Sequence, residues 1–124
     1  MAAGGGATDA FEYTMDSAIR GFHVYKSIWT PILNEQLRPF QEHGNAEDLF
    51  AVAVCTSGDL KVGHVPREIA RICWYFLEHD GEIVCTVTGT RRRSPLAQGG
   101  LEIPCKLKFI GKRKHIKKLK KLLS

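Results

Sequence analysis

The sequence predicts an α+β domain, a small barrel of about six strands with a central helix and a basic helix at the C-terminus. Three observations point there. Short β-prone runs alternate with turn residues along most of the chain. One stretch, PREIARICWYFLEH, repeats its apolar residues at helical spacing. The last segment, KRKHIKKLKKLLS, gathers its aliphatic residues on one helical arc and its lysines on the other. A chain of 124 residues, 44% hydrophobic and 25% charged, is of a size and composition to bury one modest core.

In chain order, residues 1–18 are rich in Gly and Ala without clear periodicity and predict a flexible leader. The barrel domain is expected over residues 19–111, opening with a strand from Arg20 to Tyr25. Trp29-Thr30-Pro31 breaks that pattern, and a second extended segment follows from Gln36 to Glu42. His43-Gly44-Asn45 is turn chemistry. Phe50 to Thr56 is apolar on both faces, as expected of a buried strand, and Ser57-Gly58-Asp59 turns it into a partner running from Leu60 to Val65.

The helix follows at once. Val65, Ile69, Ile72, Cys73 and Phe76 form its expected core face, Pro66 suits its first turn, and Glu68 complements its positive end. Asp80-Gly81 stops it. Glu82 to Gly89 predicts a further strand, Thr90 to Gly100 an exposed loop, and Leu101 to Ile110 a half-buried strand. Pro104 inside that last run predicts an edge position or a bulge. Residues 112–124 predict the terminal helix, with Ile116, Leu119, Leu122 and Leu123 turned inward.

Charge is unevenly distributed. Of 18 Lys and Arg, seven lie from Lys112 onward without an acid among them, which leaves eleven basic against 13 acidic residues in the first 111, a net of −2. The excess of +5 therefore belongs to the tail, and the basic cluster opening with Lys112, Arg113 and Lys114 suits nuclear import or phosphate contacts. Arg91, Arg92 and Arg93 form a second basic group, in the predicted loop, equally suited to phosphates or to plain solvation. No apolar run reaches the length of a membrane span, and MAAGGGATDA carries neither a basic nor an apolar targeting segment, so a soluble protein of the nucleus or cytoplasm is expected.

The four cysteines, Cys55, Cys73, Cys85 and Cys105, are far apart in sequence and sit in apolar patterns, as buried thiols do. The five histidines lack metal-ligand spacing. No phosphate loop, Ser elbow or Cys/His signature is present, so neither catalysis nor a cofactor is expected.

Two segments invite a ligand. Gly63-His64 ends a strand where a helix N-terminus begins, and such a terminus, flanked by His64 and Arg67, favours an anion. A strand cap and a tight turn account for the same residues. In GNAEDLFAVAV, Asn45 and Asp48 either tie up turn N–H groups or meet a ligand at a loop rim.

Taken together, N-x-x-D-x-x-A-V-x-V (Asn45, Asp48, Ala51, Val52, Val54), V-G-H-V-P-R (Val62 to Arg67) and the closing IPCKLKFIG resemble the HIRAN domain family over about residues 20–123. The resemblance implies an OB-like barrel with attached helices and a nucleic-acid-binding module. The best understood relatives hold the 3′ end of single-stranded DNA and act at stalled replication forks, often beside a DNA-dependent ATPase. Such an ATPase would be a partner in trans for this chain. The resemblance assigns Asn45 and Asp48 to the loop that receives the DNA end, and His64 and Arg67 to strand contacts near the helix start. Aromatic residues of the DNA-end-binding relative align with Val24, Glu47 and Leu101 here, and Phe22, Tyr25 or Phe50 are the candidates to replace them. A protein-interaction adaptor that kept the fold and lost the end pocket is the alternative.

Overall fold

The computed structural model describes residues 10–90, 92–93 and 101–124. Its strands are β1 (Phe11–Arg20), β2 (Gln36–Gln41), β3 (Val52–Cys55), β4 (Lys61–His64), β5 (Glu82–Val87), β6 (Arg92–Arg93) and β7 (Leu101–Gly111). Its helices are the single turn α1 (Phe22–Tyr25), α2 (Arg67–Glu78) and α3 (Arg113–Leu123). Neighbouring strands run β1-β4-β3-β2-β5-β7, and β7 pairs back onto β1, so six antiparallel strands close a barrel. The two-residue β6 extends β5's side of β7, pairing Arg92 with Glu102 and Arg93 with Leu101.

The interior is aliphatic. Val52, Val54, Val62, Ile103 and Leu107 are buried beside Phe109, and all four cysteines are free and buried among them. Burial pushes the Cys73 thiol up to about 12, and a hydrogen bond with Cys105, together with burial, raises Cys85. Cys73 and Cys85 stay protonated, and all four cysteines pack as small apolar side chains.

Composition predicts a leader as far as residue 18, but Phe11–Arg20 is instead the longest partner of β7, in register from Phe11↔Gly111 to Arg20↔Glu102. Tyr13, Met15 and Ile19 pack against the core at alternate positions. Asp16, Thr14 and Glu12 face solvent between them, and this half-polar pattern mutes the hydrophobic signal. The strand expected from Arg20 to Tyr25 is replaced by a turn. Gly21 takes φ +82°, which favours glycine, and the chain then drops Phe22 into the core edge-on to Trp29 at 5.8 Å.

The exposed loop predicted from Thr90 to Gly100 is likewise corrected at Arg92–Arg93, which are strand β6, while Arg91 and residues 94–100 lie outside the described residues. Pro104 is at neither an edge nor a bulge. It pairs with Ala18 of β1 and turns its carbonyl to the Thr88 N–H at 3.0 Å. N and C=O of a strand residue face the same way, so the missing N–H falls in the gap just past the end of β5.

α2 buries Ala70, Cys73 and Phe76, with Ile69 and Ile72 at the margins, so its core face is rotated slightly from the expected stripe. α3 buries Ile116 and Leu119 and leaves Leu122 53% exposed.

Closure rests on a narrow seam. β1 and β4 pair only at Arg20↔His64, directly beside Gly63. A methyl group on Gly63 would stand 2.5 Å from Ile19 Cγ2 and 2.6 Å from the Arg20 carbonyl oxygen, so only glycine lets the two strands meet. Gly63→Ala is expected to lose about 1–3 kcal/mol of stability in chemical denaturation, whereas Gly58→Ala, whose methyl would meet only Thr56 Oγ1 at 3.8 Å, stays within about 0.5 kcal/mol of the parent. A chain beginning at residue 19 removes eight residues of β1 and is expected to give no dispersed amide spectrum. A folded spectrum from it would show that β1 is dispensable.

Candidate functional site

Where the seam closes, the loop between β2 and β3 leans over the start of α2 and encloses a cavity of about 260 Å³. Asn45, Asp48, His64 and Arg67, the four residues singled out from two separate motifs, all line it. The hairpin explains the meeting: β3 and β4 are antiparallel, so the loop entering β3 and the helix leaving β4 emerge at the same barrel end. Arg20 and Gly21 complete that side.

The loop is held by its own side chains. Asn45 Oδ1 accepts the N–H groups of Glu47 at 2.9 Å and Asp48 at 3.1 Å, and Asp48 Oδ1 accepts that of Phe50 at 2.9 Å. The turn-stabilising role of both residues is therefore real. Arg67 fastens the helix to the loop, donating to the Glu47 carbonyl at 3.0 Å, with its Nε 3.8 Å from Asp48 Oδ2. Among the described residues no side chain caps the N-terminus of α2, which follows Pro66, so the positive end of the helix faces this region.

Glu42 is the hub, and the motifs do not contain it. Its Oε1 accepts Asn45 Nδ2 at 3.0 Å and lies 2.7 Å from His64 Nε2, while its Oε2 accepts Lys61 Nζ at 2.5 Å. Burial alone pushes this carboxyl up, but hydrogen bonds from Lys61, Asn45 and His64, with attraction to His64, outweigh burial and hold it at about 2. The Glu42 hydrogen bond in turn raises Lys61. One carboxylate thus fixes a loop residue, a strand-end histidine and a strand lysine. Only a charged residue beside a turn marks it in the sequence, and its three partners are brought to it by pairing across β2, β3 and β4.

Arg20 was equally silent in sequence. Its guanidinium donates to both carboxylate oxygens of Glu68, at 2.8 and 2.9 Å, and its Nε lies 3.5 Å from Glu102 Oε1. Burial pushes Glu68 up, but Arg20 holds its carboxyl below the usual range. Glu68 is 56% exposed, so this pair contributes about 1 kcal/mol or less and acts chiefly to aim Arg20.

The register also carries the second basic group toward the site. Arg92↔Glu102, Glu102↔Arg20 and Arg20↔His64 form one row across four strands, so the backbone of Arg92 lies in line with the cavity wall. Arg91 lies outside the described residues. Lys112 precedes α3, and Arg113 and Lys114 are exposed in its first turn; none of the three lines the cavity.

This barrel superposes on solved structures over nearly its whole length. The crystal structure of the HIRAN domain of human HLTF matches 90% of this chain and 88% of that one, with TM-score 0.73 and 19% identity. The fold is that of a HIRAN domain. An NMR structure of the HLTF HIRAN domain in its DNA-bound conformation matches 92% of each chain at TM-score 0.66 and 20% identity. A crystal structure of a protein from Lactobacillus plantarum shares the fold over 82% of this chain and 98% of that one, at TM-score 0.61 and 15% identity. No family model matches the sequence, and no curated protein matches it.

Within this HIRAN fold the cavity has no aromatic platform among its described lining residues. Of the three positions where the family's aromatics align, only Glu47 lines it. Val24 is 63% exposed on α1, and Leu101 packs against the core. The possible replacements do not reach it either. Phe22 is buried beside Trp29, Phe50 packs on Trp74 and Tyr75 of α2, and Tyr25 is not among the lining residues.

The hub has a pH signature. Glu42 is held below its ordinary value of 4.5, so its stabilisation is complete above that pH and is lost as pH falls toward 2. Glu42→Gln is expected to be less stable at neutral pH by about 1–3 kcal/mol, with the gap closing between those limits in denaturation curves taken at successive pH values. Parallel curves would show that Glu42 does not carry this charge.

Proposed function

We propose that this chain is a nucleic-acid-binding module rather than an enzyme, and that its cavity holds the end of a single strand of DNA. The observation that carries the reading is the convergence of Asn45, Asp48, His64 and Arg67 on one cavity, in a fold shared with a domain solved in a DNA-bound conformation. Arg67, Arg20 and the open N-terminus of α2 offer positive potential to a terminal phosphodiester. The second oxygen of Asp48 is placed to accept a hydrogen bond from a terminal hydroxyl.

The charges in the wall nearly cancel, Arg20 and Arg67 against Glu47 and Asp48. Without stacking platforms, each worth about 1–3 kcal/mol per base, affinity must come from recognition of the end and from basic groups outside the cavity. Arg91, Arg92 and Arg93, with Lys112, Arg113 and Lys114, supply that salt-sensitive attraction. In this reading the basic tail also serves nuclear import, and an ATPase acting in trans supplies the motor. No helix among the described residues is long and apolar enough to cross a membrane.

Fluorescence anisotropy with a short single-stranded DNA tests the reading. Blocking the 3′-hydroxyl, or introducing Asp48→Ala, His64→Ala or Arg67→Glu, is expected to weaken binding about tenfold or more, also in a chain ending at Gly111. Binding that ignores the blocked end and disappears with residues 112–124 would overturn it and assign all affinity to the tail.

A further inference from the structure

A second concavity lies between α2 and α3, away from the cavity. On α2 it is bordered from Glu68 to His79 by residues three or four apart, a length of roughly 16 Å along the helix axis. α3 contributes His115, Lys118, Leu119 and Leu122, again at i, i+3, i+4 and i+7. The space enclosed is about 530 Å³.

Its floor is apolar: Ile72 and Phe76 from α2, Leu119 and Leu122 from α3. Leu122 is 53% exposed and Tyr75 43%, which is much apolar area to leave in water on two helices that otherwise bury theirs. The rim is cationic. Arg71 of α2 and Lys118 of α3 both line it, the Arg71 guanidinium lying over the Phe50 ring at 4.8 Å, and neither forms an ion pair among the described residues. His79 and His115 meet at its far end with ring centroids 5.7 Å apart. The one acid among the described lining residues, Glu68, is engaged by Arg20 through both of its oxygens.

We propose that this groove docks an acidic amphipathic helix of a protein partner. Parallel rows of side chains at helical spacing accept leucine-like anchors at i, i+3 or i+4 and i+7, and carboxylates flanking those anchors meet Arg71 and Lys118. The floor distinguishes this occupant from a nucleic acid strand. Bases stack on free aromatic faces, but Phe76 is already buried edge-on to Phe109, and the Tyr75 ring is packed on Phe50 and approached by Arg71. The most exposed apolar side chain in the groove, Leu122, is aliphatic. The groove does not include Asn45, Asp48, His64 or Arg67, and it meets the cavity through the Glu68–Arg20 pair.

The test uses the full chain and a fluorescent synthetic helix with leucines at i, i+3, i+4 and i+7 and glutamates elsewhere. Two control peptides replace the glutamates by lysines or the leucines by serines. The acidic peptide is expected to bind and to shift amide signals of α2 and α3, and both controls to bind about tenfold more weakly or worse. Lys118→Glu and Leu122→Glu, both at exposed positions, are each expected to weaken the acidic peptide about tenfold while leaving the thermal midpoint close to the parent. Lys118→Glu should also improve binding of the lysine peptide. Absent or variant-insensitive peptide binding, or a short single-stranded DNA that competes for the same amide shifts, would overturn the proposal.

Discussion

The approach of β4 to β1 at Gly63 is the constraint on which the remaining structure depends. The barrel closes through a single paired position, Arg20↔His64, and the space for a side chain at Gly63 is already filled by Ile19 and the Arg20 carbonyl. This one contact turns a curled sheet into a closed core. It also sets His64 against Arg20 at the barrel mouth and starts α2 immediately beyond. A glycine and a histidine end the strand because one residue must yield to the neighbouring strand and the next must face the cavity.

The cavity is built by a second device, a carboxylate kept charged by its donors. Glu42 joins the base of a loop to both ends of β4, and its partners touch other groups in turn. Asn45 holds the N–H groups of Glu47 and Asp48, and His64 belongs to the seam. Polar groups with this many mutual hydrogen bonds behave as a unit, so loop shape and histidine placement are coupled. The near balance of charge in the wall follows from the same arrangement. It leaves the wall with little net charge to draw in a polyanion.

The two helices divide their work between core and surface. α2 turns Ala70, Cys73 and Phe76 inward, its N-terminus toward the cavity and a further face toward α3. α3 buries only Ile116 and Leu119, and its lysines line the outer surface beside a partly open groove. A helix fully docked by its aliphatic arc would leave no such groove. Leu122 shows that the arc is wider than the surface it covers.

The α+β class, the hairpin of β3 and β4, the extent of α2 and the burial of the cysteines were all legible in the sequence. Each depends on the local period of apolar residues and on turn chemistry. The N–x–x–D and V–G–H–V–P–R segments named the residues of one cavity, because the short hairpin between them forces both to one end of the barrel. Strand β1 was hidden because half of its length faces water, and its partner β7 lies some ninety residues away. Pairing at that distance leaves no local pattern. Glu42 and Arg20 were hidden for a related reason, since a charged side chain has a role only through the groups brought around it. Sequence by itself determined which segments are strands or helices wherever burial is one-sided and local. Only the tertiary structure decided how the barrel closes, which carboxylate holds the cavity and where two helices leave a groove, because those depend on contacts between residues far apart in the chain.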